Sequence, residues 1–165
     1  MSGRHRAEVS VSTLLAASPE RIWERVISPE GINDEMRPLM RMTWPRGLER
    51  GLDPASIQLG EPLGRSWILL GGILPFDYDE ITLVRLDPGR GFLERSRMLS
   101  QRVWEHERTL EEEAGGCRLT DRVAWEPRLP VPASWLEPLF GRIFRHRHAR
   151  LRRRFGTPVS PGGRA

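Results

Sequence analysis

Apolar and polar residues alternate with a period of two through the middle of the chain and recur at helical spacing near its two ends. Val9, Val11 and Thr13 alternate with Glu8, Ser10 and Ser12, which predicts a first strand over Glu8–Leu15. Ser18-Pro19-Glu20 then reads as a helix start: serine caps, proline suits the first helical position, and glutamate suits the positive end of the dipole. Ile22, Trp23, Val26 and Ile27 form one apolar stripe behind it. Ser28-Pro29-Glu30 repeats the start signal, so a second short helix is expected to follow at a sharp bend and to run to about Met40. Arg41–Trp44 is a candidate short strand. Glu49–Gly64, rich in Gly and Pro, reads as a loop with an extended piece at Ser56–Leu59.

From Arg65 the pattern becomes strand, turn, strand. The predicted strands are Arg65–Leu70, Phe76–Leu86, Gly91–Leu99, Arg102–Glu112 and Cys117–Glu126. Their separators (Gly71-Gly72 with Pro75, Asp87-Pro88-Gly89-Arg90, Ser100-Gln101 and Ala114-Gly115-Gly116) are short and carry turn chemistry, which implies antiparallel hairpins. The last element is a helix over Ala133–Phe155. Leu136, Leu139, Phe140, Ile143, Phe144, Leu151 and Phe155 share its apolar face, with Arg145, His146, His148, Arg152 and Arg153 off it. Strand, two helices, a run of strands and a long helix make an α+β layout. One domain is expected over residues 7–155, with tails at 1–6 and 156–165.

Composition sharpens this picture in three places. A chain of 165 residues, 38% hydrophobic and 29% charged, is globular in type and long enough for a real core. Every one of the 26 Lys+Arg residues is arginine, so a pI near 10.7 on a net charge of only +4 reflects missing lysine rather than a strongly basic surface. Cys117 is the single cysteine, which excludes an intrachain disulfide and a four-cysteine zinc site. Met1–Arg6 lacks the apolar stretch of a signal peptide, and no run approaches the ~18 apolar residues of a membrane span, so a cytoplasmic location is expected.

The element order and several local stretches resemble the helix-grip fold of the START/SRPBCC superfamily, which includes lipid-transfer START domains, birch-pollen-allergen-like proteins and polyketide cyclase/dehydrase-like proteins. The stretches are Val9–Trp23 with its Ser-Pro-Glu-Arg-Ile-Trp, Leu86-Asp87-Pro88-Gly89-Arg90, Trp104-Glu105-His106-Glu107, Leu119-Thr120-Asp121-Arg122-Val123-Ala124-Trp125, and the closing helix. The resemblance implies a curved antiparallel sheet of about six or seven strands wrapped around the C-terminal helix, with a cavity for a small hydrophobic ligand between them. It implies no cofactor and no metal, and a monomer or homodimer.

The final hairpin shows what that cavity would contain. With Ala114-Gly115 at the turn, Leu110 faces Leu119, Arg108 faces Asp121, His106 faces Val123, and Trp104 faces Trp125, all on one side of the sheet. The other side carries Glu105, Glu107, Thr109, Glu111, Arg118, Thr120 and Arg122 and reads as solvent-facing. A few polar groups on an apolar wall is the usual composition of a small-molecule pocket. Trp67, Ile68, Leu70, Tyr78, Ile81, Leu83, Phe92 and Met98 are further wall candidates, joined from the long helix by Phe140, Ile143, Phe144 and Arg147.

Each of these has a plainer reading. Trp104 and Trp125 serve equally as packing residues, and Arg108–Asp121 as a cross-strand ion pair. His106 suits a general base, with Asp121 beside it, or a merely hydrogen-bonded side chain. Tyr78 suits donation to a ligand carbonyl. Arg147 suits a ligand carboxylate or a snorkelling surface arginine. Asp77, Asp79 and Glu80 suit a cation less well than a solvated strand end, because neighbours on a strand point to opposite faces.

Three functions follow: a carrier or sensor of a lipid-like or polyketide-like molecule, a cyclase/aromatase-like enzyme using His106 and Asp121, or an anionic-surface or nucleic-acid binder. The last would use Arg142–Arg154, which holds seven arginines and two histidines. No aromatic platform is interleaved on that basic face, which argues against nucleic acid. His146 and His148 lie on different sides of the helix, and no glycine loop has nucleotide-binding form. The noncatalytic ligand-binding reading is the expectation.

Overall fold

The computed structural model describes residues 6–159. Its elements are β1 (Ala7–Leu15), α1 (Pro19–Val26), α2 (Pro29–Met36), β2 (Met40–Met42), β3 (Pro62–Leu70), β4 (Leu74–Asp87), β5 (Gly91–Met98), β6 (Gln101–Glu113), β7 (Gly116–Pro127), a 3₁₀ turn (Ala133–Leu136) and α3 (Glu137–Phe155). The seven strands form one antiparallel sheet in the order β1-β7-β6-β5-β4-β3-β2. Register shifts interrupt β3–β4, β4–β5 and β6–β7, and such bulges bend a sheet that α3 can then cross on its concave side. This is the α+β helix-grip architecture expected from the sequence.

Both early helices start where their caps require. Ser18 Oγ accepts from the Arg21 N–H at 3.4 Å, and Ser28 Oγ accepts from the Gly31 N–H at 3.0 Å while donating to Arg25 O at 2.8 Å. The bend between the helices needs glycine at 31, since a Cβ there would stand 1.8 Å from Arg25 O.

Several boundaries differ from expectation, among them β2, which spans Met40–Met42 rather than Arg41–Trp44. α2 stops at Met36 rather than Met40, because a residue before proline disfavours the helical region and Arg37 precedes Pro38. Ser56–Leu59 forms turns, not an extended piece. β3 and β4 are longer, meeting in a turn at Gly71-Gly72-Ile73. The closing helix begins with the 3₁₀ turn, and its α-helical part starts beside Pro138.

The core has two apolar clusters. One joins Leu15, Ile22, Trp23, Val26, Leu83, Phe92, Leu110, Leu119 and Leu151; the other joins Val123, Trp125, Ala133 and Phe144, with Trp104, Phe140 and Ile143 against it. Along the β6–β7 ladder the Leu110–Leu119 pair belongs to the first and the Trp104–Trp125 pair to the second. Between them lies Arg108–Asp121, so a charged pair divides the core.

Gly31→Ala should force α2 off α1 and destabilise the protein by about 1–3 kcal/mol, the usual cost of overpacking. Urea denaturation checks this, and a loss no larger than that of an exposed glycine-to-alanine change would contradict the close approach.

Candidate functional site

The site grows from the charged pair. The Arg108 guanidinium donates from Nε to Asp121 Oδ1 and from Nη2 to Asp121 Oδ2, both at 2.7 Å. It also donates from Nη1 and Nη2 to the two oxygens of Glu35, both at 2.8 Å. Glu35 comes from α2, on the face turned toward the sheet, and it also accepts from Arg147 Nε of α3 at 3.0 Å. Asp121 is met by two rings as well: His106 Nε2 lies 2.8 Å from Oδ1 and His148 Nε2 lies 2.9 Å from Oδ2. All six side chains are buried.

Two carboxylates and two guanidiniums therefore neutralise one another. Burial works to raise Asp121, but the charge and hydrogen bonds of Arg108, with those of His106, hold its carboxyl well below the usual range. Glu35 is likewise held low against its burial by Arg108 and Arg147. An ionised carboxylate only accepts, so His106 and His148 each present Nε2–H to Asp121. In a neutral ring Nδ1 is then an acceptor, and in His106 that atom is the ring nitrogen turned from Asp121, 4.0 Å from Glu94 Oε2.

Beside this network lies a cavity of about 370 Å³ between the sheet and α3. Its walls are largely apolar, including Met36, Met42, Ile68, Ile81, Leu83, Phe92, Met98, Trp104, Phe140, Ile143 and Phe144. Polar groups on it are Asp77, Asp79, Glu94, Ser100, Gln101, His106 and Arg147. Asp77 accepts the Leu99 and Ser100 N–H groups at 2.9 and 3.2 Å and the Ser100 hydroxyl, tying β4 to the β5–β6 turn. Glu94 accepts from Ser96 Oγ. Burial, then the neighbouring Glu94 charge, pushes the Asp79 carboxyl well above its ordinary value. Leu70, Phe76, Leu129 and Leu139 line the cavity yet stay exposed, so apolar side chains rim its mouth.

Of the wall residues read from the sequence, Ile68, Leu70, Ile81, Leu83, Phe92, Met98, Trp104, His106, Phe140, Ile143, Phe144 and Arg147 line this cavity. Arg108, Asp121, Val123 and Trp125 point inward as paired but are sealed in the core and do not reach it. Phe140 caps Trp125, with ring centroids 4.6 Å apart, and Trp125 Nε1–H donates to Ala133 O at 3.0 Å. Trp67 and Tyr78 are a correction: they pair edge-to-face on the outer side of β3–β4, with Arg65 over the Tyr78 ring. Their side follows from β4, whose inward positions are Asp77, Asp79, Ile81 and Leu83.

That register also corrects the solvated strand end, since Asp77 and Asp79, two apart, share the buried face and only Glu80 points out. Arg147, on the wall as read, is also a buried partner of Glu35, His148 is a buried partner of Asp121 rather than a surface group, and Arg150 pairs with Asp34 at 2.8 Å. The basic run of α3 is thus partly internal. On the outer face Glu105 is covered by Arg6, Arg95 and Arg122 instead of lying open. Glu35 carries no local signal except its place in the last turn of α2. Cys117 is buried, which pushes its thiol up to about 11 and suits a packing role. Among the described residues no group of three or more His, Cys, Asp and Glu is placed to hold a metal ion, and no helix is long and apolar enough to cross a membrane.

The fold is the helix-grip fold, and structures with the same fold include START-type proteins. A Chromobacterium violaceum structure superposes with a TM-score of 0.69 at 14% identity, covering 90% of this chain and 96% of that one. A START superfamily protein from Mycobacterium smegmatis gives 0.64 at 15% identity, with 90% and 96% covered. CalU16 from Micromonospora echinospora gives 0.60 at 16%, with 94% and 69% covered. These likenesses concern the fold. No functionally curated protein matches the sequence. Residues 13–155 match the family described as a domain of unknown function, DUF8410, and the chain belongs to that family.

Removing Arg108 should strand Glu35 and Asp121, so Arg108→Ala is expected to cost about 3–5 kcal/mol in chemical denaturation. The two depressed carboxyls contribute stability that is complete above their unfolded values, near 3.8 and 4.5, and lost as pH falls through the folded ones. Asp79 has the opposite sign: its folded value is raised, so stability falls as pH climbs above about 3.8. Asp79→Asn should therefore raise the unfolding temperature at pH 7 relative to wild type and leave it nearly unchanged at pH 3.5. Equal effects at both pH values would contradict the buried, proton-holding carboxyl.

Proposed function

We propose that the protein binds a small, predominantly apolar molecule in the cavity between the sheet and α3, as a carrier or sensor. The observation that carries this reading is the cavity itself. At about 370 Å³ it falls in the size range of ligand pockets, its walls are apolar, and its few polar groups cluster on neighbouring strands. The apolar rim of Leu70, Phe76, Leu129 and Leu139 offers such a ligand a way in.

A second reading is a cyclase-like enzyme with His106 as general base. Asp121 fixes the Nε2 side of the ring and leaves Nδ1 for a substrate proton, an arrangement that orients a base. It expects His106→Phe to abolish turnover of a poly-β-ketone thioester while retaining binding.

The test of the first reading is uptake of N-phenyl-1-naphthylamine, which fluoresces in apolar surroundings. Wild type should bind it saturably. Ile143→Trp, which fills the cavity from α3, should bind at least about tenfold more weakly, as expected for a ligand whose apolar contacts are displaced. Unchanged uptake in a folded Ile143→Trp variant, or none in wild type, would count against an accessible cavity.

A further inference from the structure

The inner face of the fold carries five carboxyl groups and two guanidiniums. Glu35 and Asp121 are matched by Arg108 and Arg147. Asp77, Asp79 and Glu94 have no arginine partner among the described residues, though all three line the cavity. Asp77 is satisfied by the backbone and hydroxyl donors of the β5–β6 turn. Asp79 and Glu94 instead meet each other: Asp79 holds its proton beside the Glu94 charge, and Glu94 accepts from Ser96 Oγ, so the pair keeps one negative charge with no arginine to answer it. Asp79 Oδ1 is buried and makes no hydrogen bond, and the Ser66 hydroxyl opposite it on β3 also has no partner. Glu94 Oε2 lies 4.0 Å from His106 Nδ1.

An independent atom tells the same story. Gln101 is 4% exposed and lines the cavity, with Oε1 unpartnered. Its orientation is determined: the Ser100 hydroxyl gives its proton to Asp77, so toward Gln101 it can only accept, and it accepts from Nε2 at 3.1 Å. The free end is therefore the carbonyl oxygen. Asp79, Glu94, Gln101 and His106 thus offer acceptors on the adjacent strands β4, β5 and β6. The donors on the wall are elsewhere. Arg147 is held by Glu35, and the unpartnered Trp44 Nε1–H follows the edge strand β2.

We propose that the ligand is a lipophilic amine whose ammonium sits between Asp79 and Glu94, with Gln101 and His106 as accessory acceptors. This rests on the cavity-binding reading above and names its ligand class. A buried charge is tolerated when paired and hydrogen-bonded, and this wall supplies both for a cation. A ligand carboxylate would instead bring a second negative charge to the Asp79–Glu94 pair, which already carries one without a cation. A hydroxyl would satisfy the acceptors without answering their charge.

The experiment displaces N-phenyl-1-naphthylamine from the full chain at pH 7 with decylamine, decan-1-ol and decanoate, which share one apolar tail. Decylamine should displace the dye at concentrations at least about tenfold below those of the other two, the scale of a charge-assisted hydrogen bond. In Asp79→Asn/Glu94→Gln that preference should vanish while decanol binding is unchanged. The single Asp79→Asn variant, which removes the carboxyl that burial forces to hold a proton, should show the same loss in part and serves if the double variant fails to fold. Equal displacement by decanol or decanoate in wild type, or an amine preference that survives both substitutions, overturns the proposal and leaves the cavity reading standing. Failure of the dye to enter wild type overturns both.

Discussion

The structure depends on one guanidinium. Arg108, on β6, binds Asp121 of β7 and Glu35 of α2 at once, and those two carboxylates recruit Arg147 and both buried histidines of the network. Five elements (α2, β6, β7, α3 and, through the β6–β5 ladder, β5) are thereby held in one arrangement. Apolar contacts tolerate sliding; a bidentate pair on each side of a planar fork does not. Such a network adds little net stability over apolar packing, since burying its charges is costly, but leaving any member unpaired is far more costly. Its consequence is geometric: it fixes where α3 crosses the sheet and how far α2 stands from it.

That placement leaves space on one side and none on the other. Toward Leu110 and Leu119 the core closes, with Ile22, Val26 and Leu151 filling it. Toward β3, β4 and β5 the long strands, bent at their bulges, hold the sheet away from α3, and the cavity remains. His106 stands at the border, with one nitrogen in the network and the other beside Glu94. The charges differ across that border. The network is balanced, whereas the wall beyond it holds carboxyls with no cation, and a protein keeps such a group buried only against its own stability.

Much of this was readable from residues. The Ala114-Gly115 turn and period-two alternation placed Trp104, His106, Arg108, Asp121, Val123 and Trp125 on one face in the pairs observed. Short Gly- and Pro-rich separators made the sheet antiparallel, and Ser-Pro-Glu twice in succession made two capped helices. The misses share a cause. Trp67 and Tyr78 look like wall residues by type, but face is set by register, and β3 registers on β4 across a bulge. Asp77 and Asp79 look solvated by type, yet their spacing puts them with Ile81 and Leu83. His148 and Glu35 look like surface groups until their partners are known.

The sequence by itself determined the periodicities, the turns and the caps, and with them the fold class and the inner set of the last hairpin, because these depend on neighbours along the chain. Tertiary structure alone decided which inward residues touch the cavity and which are sealed beneath α3. It also decided which charges of α2 and α3 turn inward to meet Arg108 and Asp121. Those outcomes depend on pairs such as Glu35 and Arg108, distant in sequence, and a charge is buried only where its counter-charge arrives.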